Sequence, residues 1–97
     1  MSGFDPKTAF SLNGKGALVT GGGKGIGRGV ALGMARSGAQ VHVLDRDLAA
    51  AEETVALILA EGLRAKAYRM DVADEASVDS TMAGIAAESG IDILINN

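Results

Sequence analysis

Residues 17–27, ALVTGGGKGIG, combine residue types and spacing that suit phosphate binding. Small apolar residues lead into a threonine and a cluster of glycines, and a helical pattern of apolar residues begins at Ile26. This order predicts a strand, a tight turn and a helix N-terminus. The first N–H groups of a helix have no intrahelical acceptor and lie at the positive end of its dipole, so they attract phosphate. Glycines let the backbone approach such a ligand closely.

Two common phosphate-binding patterns do not fit this glycine spacing. A P-loop needs Ser or Thr directly after its lysine, whereas Gly25 follows Lys24. The G-x-G-x-x-G dinucleotide pattern fails at every register across residues 21–29. The pattern present is T-G-x-x-x-G-I-G, from Thr20 to Gly27. A turn without a ligand is the alternative interpretation, but the strand before it and the helix after it favour a binding site.

A carboxylate follows the second predicted strand. Asp45 stands 18 residues after Gly27, where an acid accepts hydrogen bonds from the two hydroxyls of an adenosine ribose. A 2′-phosphate on that ribose would bring about −1.5 to −2 charges next to this carboxylate, as a phosphorylated side chain does. Asp45 therefore favours NAD over NADP as the cofactor. The alternative interpretation is a solvated turn residue.

Alternating strand and helix patterns place the turn and Asp45 at one edge of a sheet. Such alternation predicts parallel strands joined by right-handed crossovers, whose carboxyl ends share an edge. The predicted fold is α/β: the N-terminal half of a Rossmann-type doubly wound parallel sheet, with element order βαβαβαβ and strand order 3-2-1-4. Strands are predicted at 16–20, 41–45, 65–70 and 91–95, and helices at 26–38, 48–61 and 74–90.

The apolar spacing also predicts which helix faces are buried. Asp47 is expected to cap the second helix. His42, a single histidine inside the second strand, is interpreted as structural. Gly29 and Gly33 are expected to let the first helix pack close to the sheet. The predicted buried faces are Ile26, Val30, Ala31, Met34 and Ala35 in the first helix, Leu48, Ala51, Val55, Ile58 and Leu59 in the second, and Val78, Met82, Ile85 and Ala86 in the third.

Composition excludes several classes of function. A net charge of −3 and three widely separated aromatic residues give no support to nucleic-acid binding. With no cysteine, the chain has neither disulfides nor thiolate metal ligands, and we predict no metal site. No apolar run approaches the roughly 18 residues of a membrane span, and the N-terminus lacks the pattern of a secretory signal. We expect no membrane partner and a cytoplasmic protein.

The 97 residues are few for the predicted fold, because a doubly wound dinucleotide domain contains two βαβαβ halves. We expect residues 1–11 to form a polar surface leader. Residues 12–97 are expected to form the N-terminal part of a dinucleotide-binding Rossmann domain, truncated after the fourth strand.

The run T-G-x-x-x-G-I-G resembles the nucleotide loop of the short-chain dehydrogenases/reductases, a family of Rossmann-fold oxidoreductases. Two later segments are also similar to this family: Asp71-Val72, which the family sets against the adenine ring, and D-I-L-I-N-N at residues 92–97, which shapes the floor of the cofactor cleft. The resemblance covers nearly the whole chain. The cofactor-binding residues that it implies, together with Asp45, are Gly21, Gly23, Lys24, Gly25, Ile26, Gly27, Arg46, Asp71, Val72 and Asn97.

Two of these residues argue for NADP. Lys24 and Arg46 match positions where NADP-preferring members of the family place a base to meet the 2′-phosphate. Other interpretations are open: Lys24 could approach a pyrophosphate, and Arg46 could pair with Asp47 or face water. NAD is still favoured, with NADP possible, because a carboxylate at the ribose edge must be moved or neutralised before a phosphate fits.

The resemblance implies an NAD(P)-dependent oxidoreductase that transfers hydride between nicotinamide and an alcohol/ketone pair of polyol, sugar or 3-oxoacyl type. It places the catalytic serine, tyrosine and lysine beyond Asn97, so no catalytic residue is assigned here. Tyr68 is not a candidate, since Val72 and not lysine follows four residues later. The full-length protein is expected to be a homo-oligomer. The alternatives are a nucleotide-binding module without catalysis and, more remotely, an S-adenosylmethionine-dependent methyltransferase.

Overall fold

Strands and helices alternate through residues 11–97, the part of the chain that the structure, a computed structural model, describes. Residues 1–10 of the predicted polar leader lie outside this part. The elements are β1 Gly16–Thr20, α1 Gly25–Arg36, β2 Gln40–Asp45, α2 Leu48–Ala60, β3 Ala65–Arg69, α3 Glu75–Ser89 and β4 Ile93–Asn96.

The four strands form one parallel sheet in the order β3-β2-β1-β4, as predicted. Thr20 at the end of β1 pairs with Leu44 of β2 on one side and with Asn96 of β4 on the other. The carboxyl ends of the three strands therefore meet at one edge. This is the edge at which open α/β sheets bind ligands.

Helices cover both faces of the sheet. Val19 and Val43 pack on one face in a cluster with Ala31 of α1 and Ile58 of α2. On the other face, Leu18 and Leu44 pack with Ile85 of α3. All five residues of β1 are buried, which explains why this strand is apolar nearly throughout instead of alternating. The glycine turn follows this rigid central strand.

Two expectations for α1 are wrong. Ile26 is 80% exposed, because the residues that face the sheet are Gly27, Ala31 and Ala35, spaced four apart. Gly29 and Gly33 lie away from the sheet: among the described residues, a Cβ added at either would meet no neighbouring atom within 4 Å. The close approach takes place at Gly27, where an added Cβ would overlap the Gly21 carbonyl oxygen.

The buried face of α2 also differs from the prediction. Leu48 and Leu59 are exposed, while Ala50 and Thr54 are buried together with Ala51 and Val55. The face of α2 is rotated because it packs against both the sheet and the glycine turn, which hydrogen-bonds Thr54. In α3, Ile85 is buried as expected but Ala86 is exposed.

Aspartate side chains accept backbone hydrogen bonds at the starts of α2 and α3 and just before β4. The Asp47 side chain accepts a hydrogen bond from the Ala50 N–H at 3.2 Å, which confirms the predicted cap of α2. Asp74 caps α3 in the same way, so that helix begins one residue later than predicted. β4 begins at Ile93, because the Asp92 carboxylate accepts a hydrogen bond from the Gly16 N–H at 2.8 Å before the strand.

His42 is fully buried in β2, and both of its ring nitrogens have partners. Nδ1 lies 3.1 Å from the Tyr68 hydroxyl of β3, and Nε2 lies 2.8 Å from Ser89 Oγ at the end of α3. Burial, followed by the nearby Lys66 charge, lowers the pKa of His42. These contacts agree with a structural role, since they join two strands and a helix.

Every helix described within residues 11–97 is too short or too polar to span a membrane. The same stretch contains no group of three or more His, Cys, Asp or Glu side chains placed to hold a metal ion.

Candidate nucleotide-binding site

A turn of four residues, 21–24, connects β1 to α1. Gly25, the first residue of α1, has φ +55°, a left-handed value that favours glycine. Within residues 11–97, no side chain caps this end of α1: Lys24 stands at the N-cap position and makes no capping hydrogen bond. The first N–H groups of the helix therefore receive no hydrogen bond from a capping side chain.

A side chain would not fit at Gly23 of the turn or at Gly27 of α1. A Cβ on Gly27 would overlap the Gly21 carbonyl oxygen, and a Cβ on Gly23 would lie 2.7 Å from Asp45 Oδ2. Gly23 and Gly27 are therefore buried behind the surface of the turn, where they determine its shape. Gly25 and Ile26 are exposed at the helix end.

Asp45 is fixed in position by backbone N–H groups. Its Oδ2 accepts a hydrogen bond from the Gly23 N–H at 3.0 Å, and its Oδ1 accepts one from the Asp47 N–H at 3.0 Å. Each carboxylate oxygen retains a lone pair, because an ionised carboxylate has about four acceptor sites. The acid can therefore accept further hydrogen bonds from a diol while it remains attached to the turn.

The two basic residues near Asp45 have different surroundings. Lys24 Nζ lies 3.2 Å from Asp47 Oδ2, so Asp47 pairs with Lys24 and not with Arg46. The hydrogen bond from the Ala50 N–H, and secondly Lys24, lower the pKa of the Asp47 carboxyl. Arg46 is exposed and has no ion-pair partner within residues 11–97. Of the two, Arg46 is the cation closer to the open cleft, which it lines.

The residues that follow β3 and β4 lie at the same edge of the sheet as the turn. Asn97 donates from Nδ2 to the Gly21 carbonyl at 3.3 Å, and its N–H donates to Thr20 Oγ1 at 3.2 Å. Val72 is 68% exposed, a large fraction for an apolar side chain. Asp71 accepts a hydrogen bond from the Ala73 N–H at 3.0 Å. Asn97 thus anchors the turn to β4, and Val72 offers an apolar surface.

These groups surround a cleft of about 370 Å³ at the carboxyl edge of the sheet. This volume lies within the usual range of small-molecule sites, roughly 300–1,000 Å³. Five of the eleven residues predicted for the site line the cleft: Gly21, Asp45, Arg46, Val72 and Asn97. The other six are not among its lining residues: Gly23, Lys24, Gly25, Ile26, Gly27 and Asp71. The cleft is lined by Thr20, Gly21, Leu44, Asp45, Arg46, Met70, Val72, Asn96 and Asn97.

Thr54, which contacts the turn, and Arg28, which donates to Thr54, were not predicted from the sequence. Thr54 of α2 is fully buried, and its hydroxyl lies 2.9 Å from the Gly22 carbonyl oxygen. Arg28 of α1 donates from Nε to Thr54 Oγ1 at 3.0 Å. A sequence signal for Thr54 does exist, since it is a polar residue inside the apolar pattern of α2. Arg28 has no such signal, because an arginine on a surface helix is ordinary.

The family model described as short chain dehydrogenase matches residues 15–97. Galactitol 2-dehydrogenase of Agrobacterium fabrum is 45% identical over 87 residues, which are 89% of this chain and 33% of that protein. The crystal structure of a hydroxysteroid dehydrogenase from Escherichia coli superposes with a TM-score of 0.87 at 37% identity, covering 91% of this chain and 38% of the other.

A candidate D-mannonate oxidoreductase from Haemophilus influenza, whose structure contains bound NAD, superposes with a TM-score of 0.83 at 26% identity. The match covers 93% of this chain and 32% of that one. The chain thus spans about a third of the length of each of these three proteins.

Proposed function

The chain belongs to the short-chain dehydrogenase family, and from this membership we propose that it forms the cofactor-binding part of an NAD-dependent oxidoreductase. The observation that carries the proposal is the contact between Asp45 and the Gly23 N–H, which joins a ribose-binding acid to a phosphate-binding turn. Nicotinamide, when bound, supplies the hydride acceptor or donor. The described residues bind the dinucleotide and thereby orient its nicotinamide.

Each part of the dinucleotide has a place in this proposal. The pyrophosphate lies at the uncapped end of α1, against the turn that Gly23 and Gly27 keep narrow. The adenosine ribose lies against Asp45, and the adenine ring against Val72 with Asp71 at its exocyclic amine. The remaining proposed contacts are Gly21, Lys24, Gly25, Ile26, Arg46 and Asn97.

NAD is the proposed cofactor because of the charges around the ribose edge. The Asp45 carboxylate repels a 2′-phosphate across a short distance. The ion pair with Asp47 reduces the attraction that Lys24 would exert on such a phosphate. Arg46 is left as the cation that favours NADP, so NADP binding at lower affinity is part of the proposal.

The full-length enzyme is proposed to catalyse reversible hydride transfer between nicotinamide and an alcohol/ketone pair. It is proposed to be a homo-oligomeric cytoplasmic protein. A polyol or sugar acid is the favoured substrate class, and its support is the similarity to galactitol 2-dehydrogenase. A 3-oxoacyl substrate is the alternative. Catalytic serine, tyrosine and lysine residues are proposed to come from outside this chain. By itself the chain would then be a nucleotide-binding module without catalysis.

Calorimetric titration of the 97-residue chain with NAD and with S-adenosylmethionine tests this function. Circular dichroism first verifies that the chain is folded. We expect saturable binding of NAD and none of S-adenosylmethionine, because the methyl donor has no pyrophosphate to occupy the end of α1. Binding of S-adenosylmethionine with no response to NAD would replace the oxidoreductase proposal with a methyltransferase.

A further inference from the structure

We propose that Thr54 and Arg28 are positioning residues that hold the glycine turn in the shape required to bind pyrophosphate. The inference rests on the proposed function, since it concerns the same turn. Neither residue lines the cleft at the sheet edge, so both act through the backbone of Gly22 and Gly23.

Thr54 contacts the turn from the side opposite to Asp45. Its hydroxyl oxygen lies 2.9 Å from the Gly22 carbonyl oxygen and 3.2 Å from the Gly23 carbonyl oxygen. The side chain is fully buried, so no solvent competes for its proton. A hydroxyl has one proton to donate, and the two carbonyls of the turn share it with the Ala50 carbonyl at 3.3 Å.

Arg28 supplies the hydrogen bond that Thr54 accepts. Its Nε donates to Thr54 Oγ1 at 3.0 Å, while Nη2 lies 3.1 Å from the Glu53 carboxylate. A donor that is itself bonded to a cation is polarised and binds its acceptors more strongly. The guanidinium group therefore connects α1, α2 and the turn through one hydroxyl.

One peptide group is held at both of its ends. The Gly22 carbonyl and the Gly23 N–H belong to the same planar peptide, so they point in opposite directions. Thr54 binds the carbonyl and Asp45 binds the N–H. The peptide cannot rotate without losing both hydrogen bonds. Thr54 also binds the next carbonyl, that of Gly23, which directs the Lys24 N–H away from α2.

Removal of the Thr54 hydroxyl is expected to release this peptide while leaving the shape of the core unchanged. Valine has nearly the volume of threonine, so Thr54→Val removes only the hydrogen bonds. A mobile turn must then be ordered by the ligand, which weakens the binding of pyrophosphate compounds. Loss of one such hydrogen bond corresponds to about a five- to tenfold change in affinity.

The test compares ADP, NAD and adenosine as ligands, with dissociation constants measured by NMR titration of backbone amides. We expect Thr54→Val to weaken ADP and NAD about five- to tenfold and adenosine less than twofold. Thr54→Ser, which keeps the hydroxyl, should bind all three as the wild type does. Thr81→Val in α3 is the matched control and should change none of them. An equal loss for adenosine and ADP, or no loss for ADP, would overturn the inference.

A second variant keeps the inference testable if Thr54→Val does not fold. Arg28→Lys retains the positive charge but lacks the planar Nε–H that reaches Thr54. It should weaken ADP more than adenosine, whereas unchanged ADP binding would overturn the role of Arg28. A folded wild-type chain that binds neither NAD nor ADP would overturn the proposed function as well. If the wild-type chain binds NAD and ADP but the variants do not show the expected selective loss, only the inference is overturned.

Discussion

The Asp45 carboxylate accepts a hydrogen bond from the Gly23 N–H at 3.0 Å, and through this contact the end of β2 is attached to the glycine turn after β1. The acid proposed to bind ribose and the turn proposed to bind pyrophosphate therefore form one rigid unit. A change at Asp45 should therefore affect the turn as well as the contact with the ribose.

Removal of the Asp45 charge should reduce discrimination between the two cofactors. The substitution Asp45→Asn keeps the shape of the side chain and one carbonyl acceptor, but the neutral amide cannot repel a 2′-phosphate. We expect the ratio of the NADP and NAD dissociation constants to fall about tenfold or more, since a charge pair at such a distance is worth several kcal/mol before screening. Calorimetry measures both constants, and Asp79→Asn on exposed α3 serves as the charge-matched control. An unchanged ratio would contradict the ribose role of Asp45.

Two glycines of α1 should respond in opposite ways to alanine. Gly27→Ala places a Cβ against the Gly21 carbonyl oxygen and should destabilise the chain by about 1–3 kcal/mol, with loss of NAD binding. Gly29→Ala places its Cβ in open space and should stabilise α1 by up to about 1 kcal/mol. Urea denaturation measures both effects. Equal effects at the two positions would show that the close contact at Gly27 does not constrain the turn.

The stability of the chain should depend on pH through His42. Its pKa in the folded chain is below its pKa in the unfolded chain, about 6.5, so the unfolded chain binds the proton more readily. The free energy of unfolding is therefore highest above about pH 6.5. It falls as the pH drops toward the folded pKa of His42, by at most about 1.4 kcal/mol per pH unit. Lys66, paired with Glu88, is the nearby cation that adds to the effect of burial.

Urea midpoints at pH 5.5 and 7.5 measure this dependence. His42 is the single histidine of the chain, so His42→Gln should remove the dependence over this range. A wild-type chain that is equally stable at both pH values would show that the buried imidazole accepts a proton without cost.

The edge of the sheet at β4 should promote self-association. Leu94 is 54% exposed on this strand, which pairs with β1 on one side only within residues 11–97. Exposed apolar strand edges template pairing with another chain, and lysine on an edge suppresses it. Leu94→Lys should lower the sedimentation-measured mass at high concentration. Leu57→Lys, on helix α2 at 45% exposure, should have a smaller effect; equal effects would point to general solubility.

Local patterns in the sequence were sufficient to predict the strand order, the glycine turn and the Asp47 cap. Each depends on residues that are close in sequence or on the handedness of βαβ connections. The exposure of Ile26 and the burial of Thr54 were not predicted. Both depend on how α1 and α2 rotate about their axes when they pack against the turn, and this is a property of the assembled sheet.

The pairing of Lys24 with Asp47 illustrates the same limit at the site. The sequence identified both Lys24 and Arg46 as cations that favour NADP, and it gave Asp47 as a candidate partner of Arg46 and not of Lys24. The pairing depends on the path of the chain between β1 and α2, which brings Lys24 Nζ to 3.2 Å from the Asp47 carboxylate. Arg46 is left as the cation that lines the cleft.

The most direct test of the account is calorimetric titration of the folded 97-residue chain with NAD and NADP at one ionic strength. The account predicts that NAD binds at least tenfold more tightly, because Asp45 accepts hydrogen bonds from the ribose hydroxyls and repels a 2′-phosphate. Tighter binding of NADP would contradict it, since Lys24 and Arg46 would then outweigh Asp45.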